Sequence, residues 1–398
     1  MSALGNLPEL PGDPILSLSA QFREDSRPEK IDLGVGVYRS EAGATPIMAA
    51  VQEAEALLSR REKSKAYLPP TGTAWFQSEV AQLVLGEDHP VLESGRAATI
   101  PCVGGSGALH LGARLLATAS PEATLWLGNP TWANHAHLLG SAGAKFAEYP
   151  YYDRRTHSVD FDGMYSALSE AKCGDVVLLH GCCHNPSGAD LSVAQWQSLT
   201  GLILEKELIP FVDIAYMGLG VGLDEDTTGL RYIAERVPEM LIAVSFSKNF
   251  GLYRERAGAL ITLAEDRAKA ATATSHLSSI ARGIYSMPPA HGCSLVEQVL
   301  HSRELSEQWM LELEQMRERM HGLRIELAKA LNAADQSRDF SYLQNRLGMF
   351  CYLGLSVEAV RELREKHAIY MVDSSRINIA GINQLNLPRL VDALTAVA

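Results

Sequence analysis

The chain has 398 residues with 35 basic and 47 acidic side chains, for a formal net charge of −12. That balance argues against nucleic acid as the main partner and favours solubility, and the length exceeds one ordinary compact domain, leaving room for a second lobe. No apolar stretch is long enough to span a bilayer, and the N-terminal segment, with Glu9 and Asp13, lacks the basic start and apolar core of a signal peptide, so no membrane contact and a cytoplasmic location are expected.

The first segment, residues 1–40, opens on a proline-rich arm (Pro8, Pro11, Pro14) that cannot be a regular helix throughout. Residues 41–300 carry short apolar runs, among them 125–127, 176–179, 241–244 and 259–262, alternating with helical stretches. This is the pattern of a mostly parallel sheet covered on both faces, an α/β class. Gly104, Gly105, Ser106 and Gly107 precede a helical stretch over 108–117. Amides at such a helix start bind phosphate, although the spacing matches neither a dinucleotide fingerprint nor a P-loop. In residues 301–398, Trp309, Leu313, Met316, Met320, Leu323 and Leu327 recur at spacings of three and four, the stripe of a long amphipathic helix that links two lobes. Short strands over 350–355, 370–372 and 377–380, around a helix starting after Ser356, then make a smaller α+β domain.

Three strand-to-loop junctions carry candidate chemistry, because open α/β sheets place ligands at the carboxyl ends of their strands. After the run 241–244 come Ser245, Ser247 and Lys248, with Arg256 eight residues beyond the lysine. An amine, two hydroxyls and a guanidinium suit an aldehyde cofactor that carries a phosphate: the amine forms a Schiff base and the others hold the anion. A basic surface loop is the alternative. Asp213 ends the run 211–214 and precedes Lys248 by the length of one strand, helix, strand unit. Its carboxylate suits a protonated pyridine nitrogen, and a helix cap is the competing role. Asn185 follows the run 176–179 and has an amide to donate to a phenolate oxygen. The six cysteines show no CxxC pairs, so free thiols are expected, and Cys182 and Cys183 beside His184 lack the second pair a zinc site needs; no metal is expected.

With these junctions in place, the chain resembles the class I aminotransferases, the pyridoxal-phosphate enzymes acting on aspartate and aromatic amino acids. The likeness rests on residues 33–38 (LGVGVY), 104–109 (GGSGAL), 129–135 (NPTWANH), 180–188 (HGCCHNPSG), 213–216 (DIAY), 245–256 (SFSKNFGLYRER), 285–292 (YSMPPAHG) and 376–381 (RINIAG). The resemblance implies a fold type I transferase: a large domain with a mostly parallel seven-stranded sheet, a smaller α+β domain, and a homodimer whose arm lies on the partner subunit. It implies pyridoxal 5'-phosphate held as an internal aldimine by Lys248, with Gly105, Ser106, Ser245, Ser247 and Arg256 on the phosphate and Tyr67 reaching it from the other subunit. Trp132 then stacks on the ring, Asp213 pairs with its nitrogen over His135, and Asn185 and Tyr216 bond its oxygen. For the substrates, an amino acid and a 2-oxo acid, Arg376 grips the α-carboxylate beside Gly36, and Arg282 holds a distal carboxylate across the dimer.

The resemblance further implies ping-pong transamination with 2-oxoglutarate. Ser106, where aspartate-preferring relatives commonly carry threonine, and residues 67–72 (YLPPTG) look more like the branch that accepts aromatic side chains. Met287 and Ser375 depart from the family pattern near the pocket. An aspartate aminotransferase is the alternative; a β-lyase or decarboxylase of the same fold and a non-catalytic regulator are the rivals outside this activity.

Overall fold

The computed structural model describes residues 4–10 and 12–397. Pro11 of the expected arm lies outside the described residues. A seven-stranded sheet carries the architecture, its strands being β1 (Ala97–Val103), β2 (Thr124–Asn129), β3 (Lys145–Pro150), β4 (Val176–His180), β5 (Ile209–Ile214), β6 (Met240–Ser245) and β7 (Ala257–Leu263). Their spatial order is β1-β7-β6-β5-β4-β2-β3. All pairings are parallel except those of β7, which runs antiparallel to both β1 and β6.

Alternation along the inner strands explains why both faces are covered. Val177, Leu179, Val212, Ile214, Ile242 and Val244 enter one core, whereas Val176, Leu178, Phe211, Leu241 and Ala243 enter the other. Successive side chains of a strand point to opposite faces, so a continuous apolar run serves two layers of helices at once. The parallel strands β4, β5 and β6 are neighbours, which brings their carboxyl ends, His180, Ile214 and Ser245, to one edge.

Helix α1 (Gly104–Ala119) follows β1 without a loop and starts at Gly104, earlier than the expected 108. Helix α2 (Arg303–Ala334) buries the whole stripe from Trp309 to Leu327. Trp309 stacks on Phe250 at 4.5 Å between centroids and donates its indole N–H to the Asn249 carbonyl at 2.7 Å, fastening α2 to the segment just after Lys248.

The C-terminal strands are shorter than the apolar runs that announced them. Phe350–Tyr352 pairs antiparallel with Arg376–Asn378, and Ile369–Tyr370 pairs parallel with Ile31–Asp32. Residues 379–381 form a 3-10 turn, not a strand, because the Asn378 side chain accepts the Ala380 N–H and caps it. The Asn378 amide also donates to the Val35 and Val37 carbonyls at 2.7 and 2.8 Å, tying the loop over 33–38 to the C-terminal strand. The intervening helix Val357–His367 is capped by Ser356, as expected. At the other end of the chain, Leu4–Asn6 forms a 3-10 turn, and a helix begins at Pro14 with Asp13 as its cap.

Candidate active site

A cavity of about 220 Å³ opens at the carboxyl edge of β4, β5 and β6, and twelve of the expected site residues line it. From the sheet side come Asn185, Asp213, Tyr216, Ser245, Ser247, Lys248 and Arg256; Gly105, Ser106 and Trp132 close one flank, and Gly36 and Arg376 the other.

One end is built to hold an anion. The start of α1 has no side-chain cap among the described residues, so the amides that follow Gly104 are left for a ligand. Arg256 adopts a left-handed backbone at φ 53°, and the Gly104 amide donates to its carbonyl at 2.9 Å. The guanidinium lies against Gly104, where a Cβ would come within 2.4 Å of the Arg256 Nη2 and displace it, and the φ of 64° also favours glycine. A Cβ on Gly105 would likewise fall 2.9 Å from the Ser245 Cβ. Ser245 Oγ donates to Ser247 Oγ at 3.1 Å, and Arg256 donates to Ser247 at 3.4 Å and to the Tyr253 carbonyl at 2.9 Å.

Lys248 stands between the two ends, its Nζ 5.1 Å from the centre of the Tyr216 ring. Burial lowers its pKa to about 8; Asp213 opposes that shift and Arg256 adds to it. Burial alone raises the Asp213 pKa, but the His135 hydrogen bond, together with the nearby Lys248, outweighs it, and the carboxyl stays below its ordinary value. His135 Nε2 donates to Asp213 Oδ2 at 3.1 Å, and its Nδ1 meets Thr131 Oγ1 at 2.8 Å. Thr131 in turn meets His180 Nε2 at 2.9 Å, and burial holds His180 neutral by lowering its pKa to about 3. The Tyr216 hydroxyl is pushed well up by burial and remains protonated.

At the far end, Arg376 opens its strand and is buried. It donates to the Gly34 carbonyl at 2.6 Å and to Asn185 Oδ1 at 3.5 Å, its Nε has no partner among the described residues, and its guanidinium lies 4.2 Å from the centre of the Phe350 ring. These partners are neutral, so among the described residues no carboxylate is paired with it. A planar, unpaired guanidinium facing a cavity is a ready partner for a carboxylate.

Three expected residues lie elsewhere. His135 is fully buried behind Asp213. Tyr67 is 88 % exposed, and Arg282 is exposed with its guanidinium on Ser286 Oγ at 2.6 Å, so neither touches this cavity. Phe350, Ile15, Thr131 and His180 take part without having been singled out, and only His180, at the end of an apolar run, stood where a signal was available. The Cys182 and Cys183 thiols and Asp226 bring three ligand atoms within 4.8 Å of one another. The Asp226 oxygens already accept the Gly218, Gly220 and Val221 amides, which occupies them structurally. His184 stacks on Tyr151 at 3.8 Å and bonds Ser187, a packing role.

The family model for aminotransferase class I and II matches residues 28–394. The chain belongs to this family. Among known aminotransferases, it is 44% identical over 394 residues to the aromatic-amino-acid aminotransferase of Paracoccus denitrificans, with 99% of each chain covered. It is 42% identical over 392 residues to the aspartate aminotransferase of Escherichia coli, covering 98% of this chain and 99% of that one. The crystal structure of the aromatic-amino-acid aminotransferase from Burkholderia pseudomallei, covalently bound to pyridoxal phosphate, superposes with a TM-score of 0.98 at 41% identity over 100% of both chains. The residues of the cavity fit that cofactor: the uncapped start of α1 and Arg256 would suit a phosphate, and beyond them lie the Lys248 amine and the Asp213 carboxylate, one able to bond an aldehyde and the other to accept from a protonated ring nitrogen. Among the described residues, no helix is long and apolar enough to cross a membrane.

Proposed function

We propose that this enzyme transfers amino groups between an aromatic amino acid, and also aspartate, and 2-oxoglutarate, in ping-pong fashion with pyridoxal 5'-phosphate. The observation that carries the reading is one cavity with a guanidinium at each end and a low-pKa lysine between them. The cofactor, when bound, supplies an aldehyde that condenses with amines and a ring that accepts electron density from the substrate α-carbon. Gly105, Ser106, Ser245, Ser247 and Arg256 bind the phosphate, and Lys248 forms the covalent attachment. Trp132 would orient the ring, and Asn185 and Tyr216 would bond its oxygen. Asp213, kept ionised by His135, holds a proton at the pyridine nitrogen. Arg376 would bind the α-carboxylate beside Gly36, and the Lys248 amine would move the proton at the α-carbon.

The same reading makes the enzyme a cytoplasmic homodimer with shared sites, in which Tyr67 and Arg282 of each subunit serve the other's cavity. Their exposure outside their own cavity supports this, as do Leu4, Leu7 and Leu10, which are at least 70% exposed on an arm suited to lie on a partner. We divide the chain into the arm and part of the small domain (1–40), the large cofactor-binding domain (41–300), and the linking helix with the small domain (301–398). Mixing inactive Lys248→Ala and Arg282→Asp subunits should restore one competent site per heterodimer, and verified heterodimers without activity would contradict shared sites. An amino-donor panel with 2-oxoglutarate, followed spectroscopically, tests the substrate assignment. Phenylalanine and tyrosine are expected to react at least as well as aspartate. A tenfold preference for aspartate would establish the second reading, an aspartate aminotransferase with little aromatic activity.

A further inference from the structure

Arg324 is a buried cation that the chemistry above leaves unused. It projects from α2, is 2% exposed, and has carbonyl oxygens, not carboxylates, as its hydrogen-bond partners: Gly348 closely, and Phe350 at 3.5 Å. Among the described residues, its Nε has no partner. None of its hydrogen-bond partners is a carboxylate, and Asp190 acts on it only through space, so its burial is costly and an apolar side chain of similar volume would fill the room at less cost. What the two carbonyls hold in place explains the residue better than packing does.

Phe350 lies at the centre of that explanation. The backbone that Arg324 grips carries the ring that faces the Arg376 guanidinium at 4.2 Å and meets Tyr216 edge-on at 5.9 Å. In the same ladder Tyr352 stands opposite Arg376, so a shift at 348–350 moves both the ring and the strand on which Arg376 begins. The turn is also seated on the loop that carries Asn185. The Leu347 amide donates to the Gly188 carbonyl at 2.8 Å, and a Cβ on Gly188 would come within 2.3 Å of the Phe350 carbonyl. Arg324 thus braces from behind a junction whose front is the Arg376 end of the cavity.

We propose that Arg324 is a positioning residue for α-carboxylate recognition: it fixes the 348–350 backbone so that Phe350 keeps Arg376 directed at the substrate. The inference rests on the reading of Arg376 given above. The test uses single-turnover half-reactions of the holoenzyme with paired donors that differ only in the α-carboxylate, phenylalanine against 2-phenylethylamine, or aspartate against 3-aminopropanoate if aspartate is the better donor. Arg376→Ala sets the scale by slowing the amino acid more than the amine. Arg324→Met is expected to lower the amino-acid-to-amine ratio by roughly tenfold to a hundredfold, the size of effect expected when a binding group is misplaced by about an ångström. Arg324→Lys should recover part of the ratio, since it restores a cation that can bond one carbonyl. If Arg324→Met is not recovered as folded holoenzyme, Arg324→Gln replaces it, with the same ordering required. Equal slowing of amino acid and amine, or a wild-type ratio, overturns the proposal. If Arg376→Ala itself slows both donors equally, the reading of Arg376 fails instead.

Discussion

The two ends of the cavity are built in different ways. Arg256 meets Ser247 and Tyr253 at separations of 9 and 3 residues, and its carbonyl is bonded by the first residue of α1, so the phosphate end is one short segment laid against one helix start. Arg376 meets Gly34 and Asn185 at separations of 342 and 191 residues, and Phe350 joins them from a third segment. The first end is set by the central sheet and the helix that follows β1. The second exists only when the loop over 33–38, the turn at 347–350 and the C-terminal strand have packed together. Cofactor retention and substrate recognition should therefore respond to different substitutions.

The largest effect expected is at the group between the ends. Lys248→Ala should abolish turnover, together with the cofactor that stays covalently attached after borohydride reduction and denaturation, while equilibrium dialysis still detects phosphate-end binding. Detectable multiple turnover in that variant would falsify the role of Lys248. Next comes the distant end. Arg376→Ala should cost roughly 2 to 5 kcal/mol, about 30-fold to several-thousand-fold in specificity constant, similarly for phenylalanine, tyrosine and aspartate. Cofactor affinity should hold in the same variant. A loss confined to one substrate, or parallel loss of cofactor, would break the contrast between the two ends.

The smallest effect concerns pH. Because burial lowers the Lys248 pKa to about 8, the amine is neutral and nucleophilic above that value and protonated below it. Borohydride-trapped incorporation of pyridoxal phosphate into cofactor-free protein should level off above about pH 8 and fall by about fivefold over the first pH unit below it. A profile that keeps rising to the ordinary lysine range would mean that Lys248 is not desolvated in the cofactor-free cavity.

Much of the sheet edge of the cavity was legible without coordinates, because a strand and the loop after it are consecutive in the chain. The apolar runs ending at Leu179, Ile214 and Val244 predict where Asn185, Asp213 and Lys248 emerge, and α/β sheets use that edge for ligands. The individual roles of Arg376 and Arg282 came from resemblance to a family, since nothing local separates a binding arginine from a solvated one. The C-terminal strands were overextended for a related reason: whether Ile379 continues a strand depends on Asn378 capping a turn, a choice made by a side chain whose amide also reaches Val35 and Val37.

By itself, then, the sequence determined the layering of the sheet, the stripe of α2 and the chemistry at three strand ends, because periodicity and adjacency are properties of the chain alone. Only the tertiary structure decided that Thr131 links His135 to His180, that Phe350 lies against Arg376, and that Arg324 grips the backbone behind them. The acceptors for Arg376 and Arg324 include the carbonyls of Gly34, Gly348 and Phe350, and every residue carries a carbonyl, so no residue type marks which of them a distant guanidinium will find.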